Sequence, residues 1–471
     1  MLSLRLGANF TSPRRGEVER AQRARVRELG RCRIFSNSRT PSPQPPPLRG
    51  EGVRRAKPLA QCLTIKSLIV SLCLLCVCSA TPASADPAFQ TFLQSVWPQA
   101  QALGISRATF EAATRGLEPD LSLPDLVLPG KPPAPERQAE FVLTPADYLK
   151  EPAIAGLAVQ GKKLYDRYRP TLDAIAQRFG VDPTIVLAIW GRESDYGRAR
   201  DSRNAIRVLA TQAYLGKRKD KFRDEFLAAL QIVDSGKVRL ADMKSSWAGA
   251  MGLTQFMPSD YLKYAVDFDG DGRADLWNSV PDALASAAKQ LVGEGWQRGV
   301  RWAYEVHPPA NVDCTTGVPQ VTRPLGDWLK LGFVPAYGRK LSAAERAETA
   351  SLLQPAGLYG PSFLATKNYF AIKEYNYSDL YVLLVGHLAD RMLDPRPFET
   401  PWGKVAQLPT ADLDRMQRIL TARGLYHDKI DGKAGMLTRA ALGEYQKRNR
   451  LKLDCWPTAA VLAHMQASGG R

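Results

Sequence analysis

Cysteine nearly disappears from the chain after residue 85: five of the seven lie at or before Cys78, leaving Cys314 and Cys455. That scarcity excludes a disulfide framework and leaves open one bridge between the two or a pair of free thiols. Long apolar runs are missing too. The most apolar stretch, "SLIVSLCLLCVCSA" from Ser67, is shorter than the about 20 residues a spanning helix needs. No transmembrane segment is therefore expected in the mature chain. Positive charge is less abundant than it first looks. Of the formal +17, a net +11 falls within residues 1–85 (15 Lys plus Arg against 4 Asp plus Glu), leaving +6 for residues 86–471. This argues against a nucleic-acid partner and leaves a mild attraction to anionic polymers. No long internal repeat is present.

What remains is enough for two or three domains with a sizeable core, at 471 residues. Residues 1–62 read as a disordered basic leader, Arg- and Pro-rich without apolar period, with Leu63 an alternative start. Residues 63–85 read as a secretory signal peptide: a basic Lys66, an apolar core and a small-residue Ala83-Ser84-Ala85 site. A periplasmic location follows. A lipoprotein anchor at Cys78 is disfavoured by the bulky Val77 before it.

From residue 86 the pattern is mostly helical. Two helices are expected on either side of Gly104-Ile105-Ser106, and one amphipathic helix over "GKKLYDRYRPTLDAIAQRFG", ending at Gly180. Between about 301 and 378, "RWAYEV", "ASLLQPAG" and "SFLATKNYFAIKEYN" look like short strands between Pro/Gly turns. Helix returns in "SDLYVLLVGHLADRML". "DPRPFETPWG" reads as a linker, and residues 408–468 as a small helical unit.

Two stretches carry chemistry. In "TIVLAIWGRESDYG", Asp182-Pro183 makes a helix start, and Gly197 suits its stop. Val186, Ile189, Trp190 and Glu193 fall at i, i+3, i+4 and i+7, so Glu193 continues a buried stripe. Burial and the negative end of the helix dipole both raise a carboxyl pKa, which suits a proton donor near neutral pH. Asp195, about 200° round the helix, should not share the site. In "SSWAGAMGLTQFMPSDY", glycines permit close backbone approach and the Gln255 amide both donates and accepts. Taken singly, these stretches read equally as a paired structural glutamate and a tight turn before a helix.

Together they resemble the lytic murein transglycosylases, within them the membrane-bound lytic murein transglycosylase B family. The motifs are "IWGRESDYG", "GAMGLTQFMPS", "YAVDFDGDGRADLWNSVPDALASAA", "GEGW" and "NYFAIKEYNYS", in order from about Phe89 to Pro395. The resemblance implies a predominantly α (α+β), lysozyme-like catalytic domain over 86–396 with a small β-containing insertion. It implies cleavage of the β-1,4 bond between N-acetylmuramic acid and N-acetylglucosamine in peptidoglycan, with no catalytic cofactor. Glu193 would serve as acid and then base while the muramoyl 6-hydroxyl closes a 1,6-anhydro ring. Such substrate assistance dispenses with a second carboxylate. By motif position, Ser246 and Gln255 match groups around the acetamido sugars. Tyr375 and Asn376 match an aromatic and amide pair facing the catalytic glutamate.

Residues from Asp267 follow a calcium loop: Asp267, Asp269, Asp271, the Arg273 carbonyl position and Asp275, with Gly272 at the turn. Asn278 stands where a bidentate glutamate is usual, and Asp282 is the matching substitute, so a structural calcium is implied. After a linker at 397–407, residues 408–468 resemble the three-helix peptidoglycan-binding domain, with Cys455 where that pattern has glycine. Every residue assigned to chemistry precedes the linker, so this unit is expected to be separable from catalysis. The competing readings are a non-catalytic peptidoglycan-binding scaffold and a lysozyme-type hydrolase. The first has no need of a buried acid, and the second needs another carboxylate that no motif nominates.

Overall fold

The computed structural model describes residues 86–131 and 138–468. The basic leader and the expected signal peptide lie outside the described residues. Helices α1 (Pro87–Ala102) and α2 (Arg107–Thr114) flank the expected break, and Asp86 and Ser106 cap their first turns. The single helix expected before Gly180 is two, α3 (Glu151–Arg167) and α4 (Arg169–Phe179). Pro170 lacks an amide hydrogen and its ring crowds the preceding turn, so the first helix ends there. Gly180, at φ +71°, closes α4.

Helix α5 (Pro183–Ser194) is the axis of the catalytic domain. Asp182 caps it through the Thr184 amide, and it is buried on every side from Thr184 to Arg192. Four helices pack on it: α3, α4, α9 (Val280–Gly293) and α11 (Asp379–Arg391), the last making the most extensive contact. Between them in the chain lie α6 (Ala205–Leu215), α7 (Lys219–Asp234), α8 (Pro258–Tyr264) and α10 (Lys367–Tyr375). No described helix is long and apolar enough to cross a membrane.

The β-containing insertion is a five-stranded antiparallel sheet. Its strands are β1 (Ala303–His307), β2 (Thr322–Pro324), β3 (Val334–Pro335), β4 (Thr349–Leu353) and β5 (Ser362–Ala365), in the spatial order β2-β4-β5-β1-β3. Side-chain alternation divides it between two cores. Tyr304, Leu352 and Leu364 join a small cluster with Trp328 and Phe333, while Ala303, Phe363 and Ala365 join the main helical core. One expected strand is corrected. "SFLATKNYFAIKEYN" is strand only to Ala365; from Lys367 it is α10. Thr366 caps the Asn368 amide, and Tyr369, Ile372 and Tyr375 are buried at helical spacing.

The terminal unit is α12 (Thr410–Ala422), α13 (Met436–Arg448) and α14 (Ala459–Ala467) around its own core of Leu413, Met416, Leu420, Leu442, Tyr445 and Met465. Gln417, wholly buried, ties the intervening loop by bonds to Asp431, Gly432 and Thr438. The unit also docks on the larger domain. Met436 is buried in the catalytic core, Arg439 pairs with Asp379 at 2.9 Å, and Lys447 pairs with Asp313 at 2.5 Å.

Cys314 and Cys455 form a disulfide across 141 residues, joining the β-containing region to the terminal unit. In a chain-entropy account a loop of that length stabilises by about 5 kcal/mol. Cys455 sits at φ +53°, which explains why glycine is the usual residue there. The left-handed backbone costs a non-glycine residue only about 1–2 kcal/mol, so the bridge prevails. It also constrains α13: a Cβ at Gly443 would stand 2.3 Å from the Cys455 sulfur. Cys314→Ser/Cys455→Ser is expected to lower Tm, and Cys314→Ser/Cys455→Gly to lower it less. Thermal melts of the three proteins check the order; equal melting of the two variants would deny the backbone argument.

Candidate active site

Helix α5 stops earlier than Gly197. Asp195 (φ +54°) and Tyr196 (φ +56°) already turn left-handed. The turn is tied down by Ser194, whose hydroxyl donates to Leu253 O at 2.7 Å and accepts from the Gly197 amide. Leu253 belongs to the second motif, so the two chemical stretches meet here. Asp195, already outside the helix, pairs with Arg198 at 2.6 Å.

Glu193 is half-buried on the last turn of α5. The Tyr381 hydroxyl donates to its Oε1 at 2.5 Å. Burial first, and then the Glu193 charge, push the Tyr381 phenol well above its usual pKa, so it remains a donor. Its ring lies parallel to that of Tyr375, centroids 6.5 Å apart, and the Arg192 guanidinium stands 5.7 Å from its centroid. Arg192 is buried and receives Tyr148 OH as a partner at 3.0 Å. The carboxylate is thus held through Oε1 by a neutral phenol.

Sequence reasoning missed Tyr381. It lies in a run of buried residues of α11, from Asp379 to Ala389, and its spacing is that of ordinary core. Of the expected pair, Tyr375 donates to Thr254 O at 2.8 Å and so braces the second motif from below. Asn376 is 2% exposed: its Oδ1 accepts from Ser378 N, and its amide reaches the buried Glu140 at 3.4 Å. Ser378 in turn caps α11 through the Leu380 and Tyr381 amides. Asn376 therefore shapes the turn that aims Tyr381.

The second motif is a tight turn. Ser246 N donates to Ala250 O, and Met251 pairs with Phe256. Its glycines approach protein, not open space. A Cβ on Gly249 (φ +82°) would meet Leu209 at 2.2 Å, and one on Gly252 (φ +73°) would meet Leu276 O at 2.4 Å. Gln255, itself at φ +53°, gives its amide hydrogens to Asp201 (3.1 and 3.0 Å) and Gly252 O (2.9 Å). Three acceptors take both N–H groups, so only the Gln255 carbonyl oxygen is left to meet a ligand. Asp201, the residue that sets this polarity, was not read from sequence; a lone carboxylate in "RARDSRN" gives no signal.

The acidic loop is half assembled as expected. Asp267, Asp269 and Asp282 bring one oxygen each within 4.8 Å of one another. Oxygens on opposite sides of one calcium, each about 2.4 Å from it, are about that far apart, so these residues fit a hard cation. Asp271 instead caps the Arg273 amide, and Asp275 caps those of Trp277 and Asn278. Asp282 accepts three backbone amides, from Phe268, Asp269 and Asp275. The loop abuts the second motif through Leu253 N to Leu276 O, 2.8 Å.

Burial raises Asp201 to about 7, against hydrogen bonds from Gln255 and Gly252 that pull it down. Between about pH 4 and 7 the folded chain keeps a proton that the unfolded chain has released, so stability from this group falls as pH rises. Above that window the penalty is constant. Asp201→Asn is therefore expected to gain Tm relative to the parent from pH 5 to about pH 7 and then to hold that gain at pH 8. Melting curves across that range check it; a pH-independent difference would contradict it.

Comparison with known proteins places this geometry. The family model "Transglycosylase SLT domain" matches residues 88–390, and "Putative peptidoglycan binding domain" matches residues 410–465. Membrane-bound lytic murein transglycosylase B of Escherichia coli (strain K12) is 31% identical over 239 residues, 48% of this chain. The match spans 62% of that relative, less than two thirds of its length. Crystal structures of SltB3 from Pseudomonas aeruginosa with NAG-NAM-pentapeptide and with NAG-anhNAM-pentapeptide are each 36% identical. They cover 80% of this chain and 99% of theirs, with TM-scores of 0.69 and 0.67. With nearly all of its helical core and the whole of the Glu193 site inside the matched span, the chain belongs to the transglycosylase SLT domain family.

Proposed function

We propose that this protein is a peptidoglycan lytic transglycosylase, cleaving the β-1,4 bond between N-acetylmuramic acid and N-acetylglucosamine with formation of 1,6-anhydromuramic ends. The observation that carries the reading is the Tyr381 hydroxyl 2.5 Å from Glu193 Oε1. It fixes the half-buried carboxylate of Glu193 at the end of α5, where one group can serve both proton transfers. Protonated Glu193 gives its proton to the glycosidic oxygen as the bond to the muramoyl anomeric carbon breaks. The resulting carboxylate takes the proton of the muramoyl 6-hydroxyl while that oxygen attacks the same carbon. The ring closes, Glu193 ends protonated, and no water is consumed. Intramolecular attack has the advantage of proximity. The SltB3 structure with an anhydromuramoyl ligand supports the same product here.

Gln255, with its donors engaged by Asp201 and Gly252, would accept from an acetamido N–H, and Ser246 lies on the same turn. Residues 86–396 then form the catalytic domain, 397–407 the linker and 408–468 the wall-binding unit. Residues 63–85 direct export to the periplasm, where the polymer lies. A structural calcium in the loop from Asp267 would neutralise Asp267, Asp269 and Asp282 and stiffen the Leu276 edge against Gly252.

Glu193→Gln is expected to fold like the parent and lose nearly all lytic activity, since an amide can neither give nor take this proton. Tyr381→Phe is expected to lower kcat on the order of 10- to 100-fold, the worth of a hydrogen bond to a charged group. Mass spectrometry of muropeptides from the unaltered enzyme should find anhydro ends, about one water lighter than hydrolysis products. Reducible muramic ends as the main product would favour the hydrolase.

Calcium is expected to raise Tm by mass action on the folded state, and Asp267→Ala to abolish that rise. Melting in calcium and in chelator checks both. An equal rise in the variant would place any bound ion elsewhere.

A further inference from the structure

We infer that Arg439, carried by the terminal unit, is a positioning residue for the Tyr381–Glu193 pair and acts through Asp379. The wall-binding unit would thereby complete the active site as well as deliver it to the polymer. The inference rests on the reading of Glu193 as acid and base.

Three elements meet on one buried carboxylate. Asp379 is the first residue of α11, two before Tyr381. It accepts from Tyr369 OH at 2.7 Å and Lys373 Nζ at 2.5 Å, both on α10, and from Arg439 Nη2 at 2.9 Å, on α13. Arg439 is itself buried, and its other nitrogen donates to Ala434 O at 2.5 Å. Burial alone would push the Asp379 carboxyl up. Lys373 and Arg439 instead hold it well below the usual carboxylate range, so the cluster is ionised.

Both supports of Tyr381 depend on this cluster. One is the start of α11, whose first turn sets the height and rotation of the tyrosine. The other is α10, whose last residue, Tyr375, stacks on the Tyr381 ring. Lys373 is a flexible point charge, whereas the planar guanidinium of Arg439 fixes direction. Without Arg439 the carboxylate keeps one mobile cation, and α10 and α11 lose their common anchor. An ion pair that only docked two domains would have no reason to end on the turn carrying the glutamate's partner. The same interface already has the disulfide, the Lys447–Asp313 pair and the buried Met436.

The test uses the full chain on soluble glycan fragments, so that adhesion to insoluble wall does not enter. Arg439→Met is expected to lower kcat on the order of 10- to 100-fold, as small misplacements of reacting groups do, with KM within about twofold. Because losing one partner of a buried ion cluster destabilises folding, Lys373→Met/Asp379→Asn/Arg439→Met is made as well; removing all three charges together is tolerated far better. This triple variant is expected to melt near the parent and yet keep the low kcat. In a Tyr381→Phe background, adding Arg439→Met is expected to cost less than about threefold more, because both changes remove the same interaction. Recovery of kcat together with Tm in the charge-free triple variant would overturn the inference. So would an Arg439→Met loss that multiplies in full onto Tyr381→Phe. In either case Arg439 only docks the domain. If Glu193→Gln keeps its activity, the reading beneath fails, and the inference falls with it.

Discussion

A hydrogen bond between two residues 188 positions apart, Tyr381 and Glu193, is the interaction around which the catalytic domain is arranged. For it to form, the first turn of α11 must lie against the last turn of α5, and both helices must be held in rotation as well as in position. This explains why α5 is buried on every side and why α11 has its most extensive contact there. A hydrogen bond to a charged group is worth about 1.5–3 kcal/mol, a small part of what folds a domain. Its importance is geometric. It fixes the orientation of the Glu193 carboxylate, and the phenol stays neutral.

The rest of the site is built by backbone pinned to backbone. Ser194 ties the end of α5 to Leu253, Leu253 is tied to Leu276, and Tyr375 reaches up to Thr254. Within this frame Asp201 does for Gln255 what Tyr381 does for Glu193: it consumes one side of a two-sided group, so that only one polarity faces outward. In both cases a buried partner converts a versatile side chain into a directional one. The acidic loop lies one residue away from this frame, through Leu276.

The terminal unit has its own core, yet its contacts with the catalytic domain are of the buried kind. A disulfide, a buried arginine–aspartate pair and a methionine inserted into the larger core are not features of a module on a free tether. Inter-domain contacts within a chain usually permit motion, and a covalent bridge beside a buried ion pair restricts it. The two units are thus joined by tighter connections than the linker at 397–407.

Much was legible beforehand because it depends on local chemistry. The cap at Asp182, the proline at Pro183 and the i, i+3, i+4, i+7 stripe announce α5 and set Glu193 on its buried face without reference to the remainder of the chain. The acidic spacing from Asp267 and the period of the terminal helices were readable for the same reason. What sequence could not provide was any fact resting on long-range proximity. Tyr381 looks like core, Asp201 like a loop carboxylate and Arg439 like a charged face of a distant domain. Even α10 was taken for strand, since a short aromatic run has no decisive period until Thr366 caps it. Local pattern determined most of the elements, their order and the place of Glu193 at the end of α5. Tertiary structure alone decided the partner of Glu193, the direction of the Gln255 amide and the union of the two domains. The reason is that a side chain's chemical role depends on the neighbours that desolvate and orient it, and those neighbours are supplied by folding.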